Sequence, residues 1–141
     1  MSKSQASSEF RRGRSVVFAI HVHLVFVTKR RRKALDSASI DRLRDIFTAV
    51  CKDFSSELME MDGEQDHVHL LVSLPPKIAV SHLVNSLKGV SSRYLREERP
   101  DLLRWRAFKH ALWSPSYFVA SCGGAPLAAV KRYIQQQQTP A

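Results

Sequence analysis

The chain has 141 residues, 44% of them hydrophobic, enough for one domain with a buried core. Its 22 Lys and Arg against 13 Asp and Glu give a formal net charge of +9, which favours a polyanionic partner, nucleic acid ahead of membrane. No apolar run approaches the ~20 residues of a membrane span. Met1 to Ser8 lacks the apolar core of a signal peptide. Cys51 and Cys122 have no metal-ligand spacing, so both are expected to stay reduced in a cytoplasm.

Residues 1–14 end in Arg11-Arg12-Gly13-Arg14 and lack periodicity, which predicts a flexible basic tail ahead of a single domain over 15–141. Ser15 to Thr28 then reads as a long strand. Val16, Phe18, Ile20, Val22, Leu24 and Phe26 alternate on its core face, with His21 and His23 on the other. Asp36-Ser37-Ala38-Ser39 offers caps for a helix with the stripe Ile40, Leu43, Phe47, Val50 and Phe54. Glu57 to Asp62 and His67 to Leu74 are strands on either side of a turn at Gly63, and Pro75-Pro76 stops the second. A second helix should bury Val80, Leu83, Leu87, Val90 and Tyr94. Ala111 to Ser121 is a strand broken at Ser114-Pro115. A last helix follows Gly123-Gly124 and Pro126 and runs to about Gln138.

Strand–helix–strand–strand–helix–strand with a terminal helix is the order of an α+β, ferredoxin-like (RRM-like) antiparallel sheet. Two helices cover one face and the first and third strands are central neighbours. The terminal helix is then expected across the other face, onto which His21, His23, His67 and His69 would look.

Two spacings carry chemistry. His67-Val68-His69 puts two imidazoles on the same side of a strand, roughly 6.5–7 Å apart, within reach of one cation. Tyr133 and Gln137, four apart on the last helix, share a face. A metal beside a phenol that could attack phosphorus points to phosphodiester breakage by covalent catalysis. Exchange of one phosphoester for another needs no nucleotide, in keeping with the lack of a GxxxxGK loop.

Asp66-His67-Val68-His69-Leu70-Leu71 follows His23-Leu24-Val25-Phe26-Val27-Thr28-Lys29 and precedes Leu87-Lys88-Gly89, Leu112-Trp113-Ser114-Pro115-Ser116-Tyr117 and Lys131-Arg132-Tyr133-Ile134-Gln135-Gln136-Gln137. Over roughly residues 15–138 this order resembles the single-tyrosine HUH transposases of bacterial insertion sequences that move as single-stranded DNA, the TnpA type. The resemblance implies Tyr133 as nucleophile, leaving a 5′-phosphotyrosine and a free 3′-hydroxyl. It implies His67, His69 and Gln137 as ligands of Mg²⁺ or Mn²⁺, although imidazole ligands alone would suit Mn²⁺ or Zn²⁺ better. Asp66 and His23 stand as candidates to hold those ligands in place, and His21 and His23 are equally readable as DNA contacts or the polar side of a strand. The family acts in the cytoplasm on single-stranded DNA with hairpin ends. It forms homodimers, as two cut ends need two tyrosines. A domesticated relative acting on repeated palindromes fits the same residues.

Lys29, Arg30, Arg31, Arg32 and Lys33 close the first histidine strand and read as a phosphate-binding rim. Arg104 and Arg106 interleave with Trp105 and Phe108, rings that either stack on unpaired bases or plug the core. Lys88, with Arg93 and Arg96 on the polar side of the second helix, suits backbone contact. Two rival functions use the same features. A non-enzymatic single-strand or hairpin-binding module would need no metal. A phosphodiesterase using water would still cleave without Tyr133.

Overall fold

A computed structural model describes residues 10–121 and 127–137; of residues 127–131 it describes the helix but not the side chains. The elements are β1 (Arg11–Gly13), β2 (Val16–Phe18), β3 (His21–Val27), α1 (Ser37–Asp53), β4 (Glu57–Gly63), β5 (His67–Ser73), α2 (Val80–Glu98), β6 (Phe118–Ser121) and α3 (Leu127–Gln136). The main sheet has the order β4-β5-β3-β6, antiparallel throughout, so β3 and β5 are the expected central neighbours. β1 and β2 pair separately as a short ribbon. The fold is the expected ferredoxin-like one. No described helix is long and apolar enough to cross a membrane.

Alternation in the central strands decides the layers. Val22, Leu24 and Phe26 of β3 and Val68, Leu70 and Val72 of β5 are buried in the main core with Leu43, Phe47 and Val50 of α1 and Leu83, Leu87 and Leu95 of α2. Each such side chain contributes about 1.5–3 kcal/mol when fully buried. On the opposite face, Val25 and Val27 pack with Phe118 of β6 and with Tyr133 and Ile134 of α3. The last helix therefore covers the open face, as its sequence position suggested. Gly63 lets β4 pass close to α1, since a Cβ there would collide with Ile40 Cδ1.

α1 starts at Asp36, whose carboxylate accepts from Ser39 N at 2.8 Å and satisfies an orphan N–H of the first turn. Arg99 grips the same carboxylate at 2.8 and 3.0 Å and holds it ionised well below the usual carboxylate range. A bulge in β4 between Leu58 and Glu60 resets its alternation, burying Met59 and Met61 and turning Glu60 and Asp62 to the side of Leu71 and His69.

Four sequence expectations change. The basic segment is not tail to residue 14, because Arg11–Gly13 pairs with Val16–Phe18 and Arg11 reaches into the domain; residues 1–9 lie outside the described residues. The strand expected over Ser15 to Thr28 breaks at Ala19–Ile20, so Val16 and Ile20 are exposed. Tyr94 does not finish the α2 stripe: it is 38% exposed, and Leu95 with Ser91 and Ser92 takes the inner face. The strand expected from Ala111 shortens to Phe118–Ser121, because residues 112–114 are tied instead to α2 and the end of β3. Trp113 Nε1 donates to Ser91 Oγ at 2.9 Å, Leu112 N to Ser92 Oγ at 3.0 Å, and Ser114 N to Val27 O at 2.7 Å.

Candidate active site

The β3–β5 register aligns Val27 with His67, Val25 with His69 and His23 with Leu71. Paired residues share a face, so His23, His67 and His69 all lie on the side covered by α3. The His67 and His69 rings are 4.9 Å apart between centroids, and His23 stacks on His69 at 5.3 Å. His21 pairs with Ser73, one same-face step beyond His23 and two beyond the level of His69, and none of the ring contacts among the three histidines includes it. The expected cluster of four histidines is therefore three.

Asp66, 8% exposed, orients the first of them. Its Oδ1 lies 2.7 Å from His67 Nδ1, and its Oδ2 accepts from Arg31 Nε at 2.9 Å. With Asp66 as the acceptor of the Asp66–His67 hydrogen bond, His67 donates through Nδ1 and its Nε2 lone pair remains for a cation. His69 Nδ1 faces His23 Nε2 at 3.2 Å, so one proton lies between them. Placed on His69, it leaves that Nε2 lone pair available too. Burial, then the neighbouring imidazoles, hold the His69 pKa down to about 4, so the ring is neutral and able to ligate at physiological pH. Among the described residues no three His, Cys, Asp or Glu side chains form a metal-holding group. The protein thus offers two oriented imidazoles and needs a neutral donor or the substrate to complete a coordination shell. That donor set fits a divalent cation with open positions.

α3 supplies the phenol. Tyr133 packs on Val25 and Val27, the register partners of His69 and His67, and its ring lies 5.6 Å from Phe118, which in turn edges His23 at 6.4 Å. Its hydroxyl is 2.8 Å from Ser116 Oγ. Burial raises its pKa, and the Ser116 hydrogen bond opposes that only in part. Gln137 Oε1 accepts from Ser114 Oγ at 2.7 Å and Ser116 Oγ at 3.0 Å. Both amide lone pairs are engaged there, so Gln137 must exchange a serine to ligate a metal. Because Ser116 has one proton and gives it to Gln137, Tyr133 is the donor in the Tyr133–Ser116 bond.

In the sequence Ser114 stood only at a strand break and both serines only within the Leu112–Tyr117 string, yet they hold both candidate side chains of α3. Their own turn is fixed by Lys88, whose Nζ donates to Ser114 O at 2.7 Å and Ser116 O at 3.0 Å. Lys88 was expected to face phosphates. Instead it is half-buried under the 114–116 turn, and burial lowers its pKa to about 8. Lys88→Met is expected to leave DNA affinity nearly unchanged but slow cleavage about 10- to 100-fold, the cost of a small misplacement of reacting groups. Lys88→Arg should recover part of that rate. Single-turnover cleavage beside a binding titration checks both.

The cationic run divides. Arg30 and Arg31 have φ of 56° and 54°, held by Arg31 N donating to Thr28 O and Thr28 Oγ1 donating to Arg32 O, each at 2.8 Å. Such backbone costs roughly 1–2 kcal/mol per residue. It aims Arg31 at Asp66, so Arg31 serves the histidine site, not the rim. Arg30 is exposed, Lys29 half-buried, and Arg32 lies 5.8 Å over Trp105. Arg104 lies 5.6 Å over the same ring, and Arg106 is exposed. Phe108 resolves to the core at 0% exposure, whereas half-buried Trp105 keeps its cationic partners. The double change Arg30→Ala/Arg32→Ala should therefore lower the salt slope of DNA binding by about 1.4, at ~0.7 per lost single-strand phosphate contact, which a salt titration measures.

Residues 16–137 match the model of the IS200-like transposases. The chain is 32% identical over 129 residues to the ISDra2 transposase TnpA of Deinococcus radiodurans, covering 92% of this chain and 91% of that one. It is 31% identical over 115 residues to the transposase for insertion sequence element IS200 of Salmonella typhimurium, covering 82% and 74%. A crystal structure from Deinococcus radiodurans R1, provisionally described as a transposase, superposes with a TM-score of 0.80 at 29% identity, covering 92% and 99%. A REP-associated tyrosine transposase bound to a REP hairpin shares the fold, with a TM-score of 0.56 at 15% identity over 89% of this chain and 67% of that one.

Proposed function

The chain belongs to the IS200-like transposase family, which makes it a DNA transposase, and from that premise we propose that it cuts and rejoins single-stranded DNA through Tyr133. The observation that carries this reading is the placement of Tyr133 on Val25 and Val27, directly beside the paired strand that presents His67 and His69.

His67 and His69 would hold a divalent cation, Mg²⁺ or Mn²⁺, with Gln137 as the third protein donor. When bound, the cation supplies charge to stabilise the phosphate as negative charge builds on it. The remaining work belongs to the chain. Asp66 keeps His67 in the tautomer that can ligate, and Arg31 keeps Asp66 in place. Ser116 receives the phenol proton's hydrogen bond and so sets the direction of the oxygen lone pairs. Attack by Tyr133 Oη on phosphorus forms the tyrosyl phosphoester, breaks the bond to the 3′ oxygen and releases a 3′-hydroxyl. The phenol gives up one proton and the departing 3′ oxygen takes one up, through solvent, so the exchange is proton-neutral. The reverse reaction on another strand's 3′-hydroxyl completes the transfer and needs no nucleotide. One nucleophile per chain and two ends to be joined require two chains, hence a homodimer acting on DNA with hairpin ends.

The test is covalent capture. Purified protein with end-labelled single strands carrying an imperfect palindrome and Mg²⁺ or Mn²⁺ should give an adduct that survives denaturing electrophoresis. It should carry label only when the strand is marked on the 3′ side of the cut, the side that keeps the 5′ phosphate. An adduct absent across hairpin substrates with both metals, or labelled from the other side, would overturn the reading.

A further inference from the structure

At the far end of the sheet from His67, the β1–β2 ribbon and the turn after β5 enclose a concavity of about 400 Å³. Its lining includes Arg11, Arg12, Arg14 and Lys77 and no acidic residue. Arg11 is structural. Its guanidinium donates to Ser73 O at 3.2 Å, Ser73 Oγ at 3.1 Å and Ser55 O at 2.9 Å, and lies 5.0 Å over the Phe18 ring. Those bonds fasten the ribbon to the sheet and fix the position of its loop. Arg12, Arg14 and Lys77 are exposed, and among the described residues none has an ion-pair partner. Val16, Pro75 and Pro76 supply an apolar floor between these cations.

An apolar floor between unpaired cations matches a single nucleic-acid strand, whose bases and sugars take apolar contact while its phosphates meet guanidinium and ammonium groups. We propose that this concavity is a second binding site for the DNA strand that enters or leaves the tyrosine site. The proposal rests on the single-strand transfer reading above. The two sites are separated by the length of β5, about 20 Å at ~3.3 Å per residue. That is roughly six stacked nucleotide steps, so the ribbon meets flanking DNA and not the scissile phosphate. The site thereby gives affinity for single strand adjoining a hairpin, with little demand on its sequence.

The experiment compares labelled hairpins bearing no extension with hairpins carrying a 5′ or a 3′ single-stranded extension of about 12 nucleotides, long enough for the ~20 Å span. Wild type should bind one extended form about tenfold tighter than the bare hairpin. Arg12→Ala/Arg14→Ala/Lys77→Ala should lose that gain, and its salt slope should fall by up to ~2 at about 0.7 per contact. Its affinity for the bare hairpin and its covalent adduct on a short substrate should match wild type. Because the three side chains are exposed, an unchanged melting temperature is expected and is measured alongside. The proposal fails if neither extension tightens wild-type binding, or if the triple variant keeps the gain. Failure of adduct formation by wild type would instead count against the tyrosine reading, since the affinity comparison needs no cleavage.

Discussion

Tyr133→Phe is expected to abolish the covalent adduct and reduce strand cleavage by at least ~10⁴-fold, the order of loss seen when a covalent nucleophile is deleted. The change removes one oxygen. The ring stays against Phe118, Val25 and Val27, so the covered face of the sheet and the thermal stability should survive. DNA affinity should survive too, because the change touches no cationic side chain. What is lost is the hydroxyl 2.8 Å from Ser116 and with it the only described tyrosine next to the histidine strand. Tyr94 lies exposed on α2 under Arg93, and Tyr117 packs against the main core with Lys88 near its ring, so neither can substitute. Single-turnover cleavage of end-labelled hairpin DNA decides the matter. Persistent cleavage without an adduct would hand the reaction to water, the phosphodiesterase alternative. Binding without cleavage in wild type would leave a hairpin-binding module.

The shared face of His67 and His69 on their strand, and of Tyr133 and Gln137 on theirs, was legible because it depends on periods. A strand repeats every two residues and a helix every 3.6, so same-face residues are written into the spacing. The central strands were equally legible from alternating apolar residues, and the helix start from the capping residues of Asp36-Ser37-Ala38-Ser39, among which the structure uses Asp36. What the spacing could not reveal is which surface another segment covers. Lys88 reads as solvent-facing until residues 112–116 fold along α2 and take its ammonium for two carbonyls. Ser91 and Ser92 break the expected α2 stripe for the same reason, since they serve as partners for Trp113 and Leu112. The ribbon was missed because its turn, Arg14-Ser15, lacks the Asn-Gly or Asp-Gly signature, and Ser15 takes φ of 61° with no glycine to announce it. Arg31 was grouped with its cationic neighbours, and only the left-handed turn at Arg30 and Arg31 sends it inward to Asp66.

His67→Ala and His69→Ala should each reduce metal-dependent cleavage by roughly 10³-fold, several kcal/mol of lost charge stabilisation at the phosphate. Hairpin binding should remain within a few-fold of wild type, because the exposed cations Arg30, Arg32 and Arg104 lie outside the histidine pair. Asp66→Asn should fall between, about 10- to 100-fold down, as expected when the partner that orients a ligating imidazole is lost. Arg31→Gln should be milder in the same direction, since its guanidinium acts on His67 only through Asp66. His23→Ala should shift the metal concentration needed for half-maximal cleavage, because His23 faces His69 Nδ1, the nitrogen opposite the one that would ligate. His21→Ala, opposite Ser73 and two same-face steps from the level of His69, should behave as wild type. The order of these effects separates a metal-holding pair from a pair of merely buried histidines. A structural role would lower the melting temperature in proportion to the loss of rate and would not respond to added Mn²⁺. A metal role leaves the fold intact, and raising Mn²⁺ recovers Asp66→Asn further than His67→Ala. Near wild-type cleavage by either alanine variant in Mg²⁺ or Mn²⁺ would sink the assignment of the site.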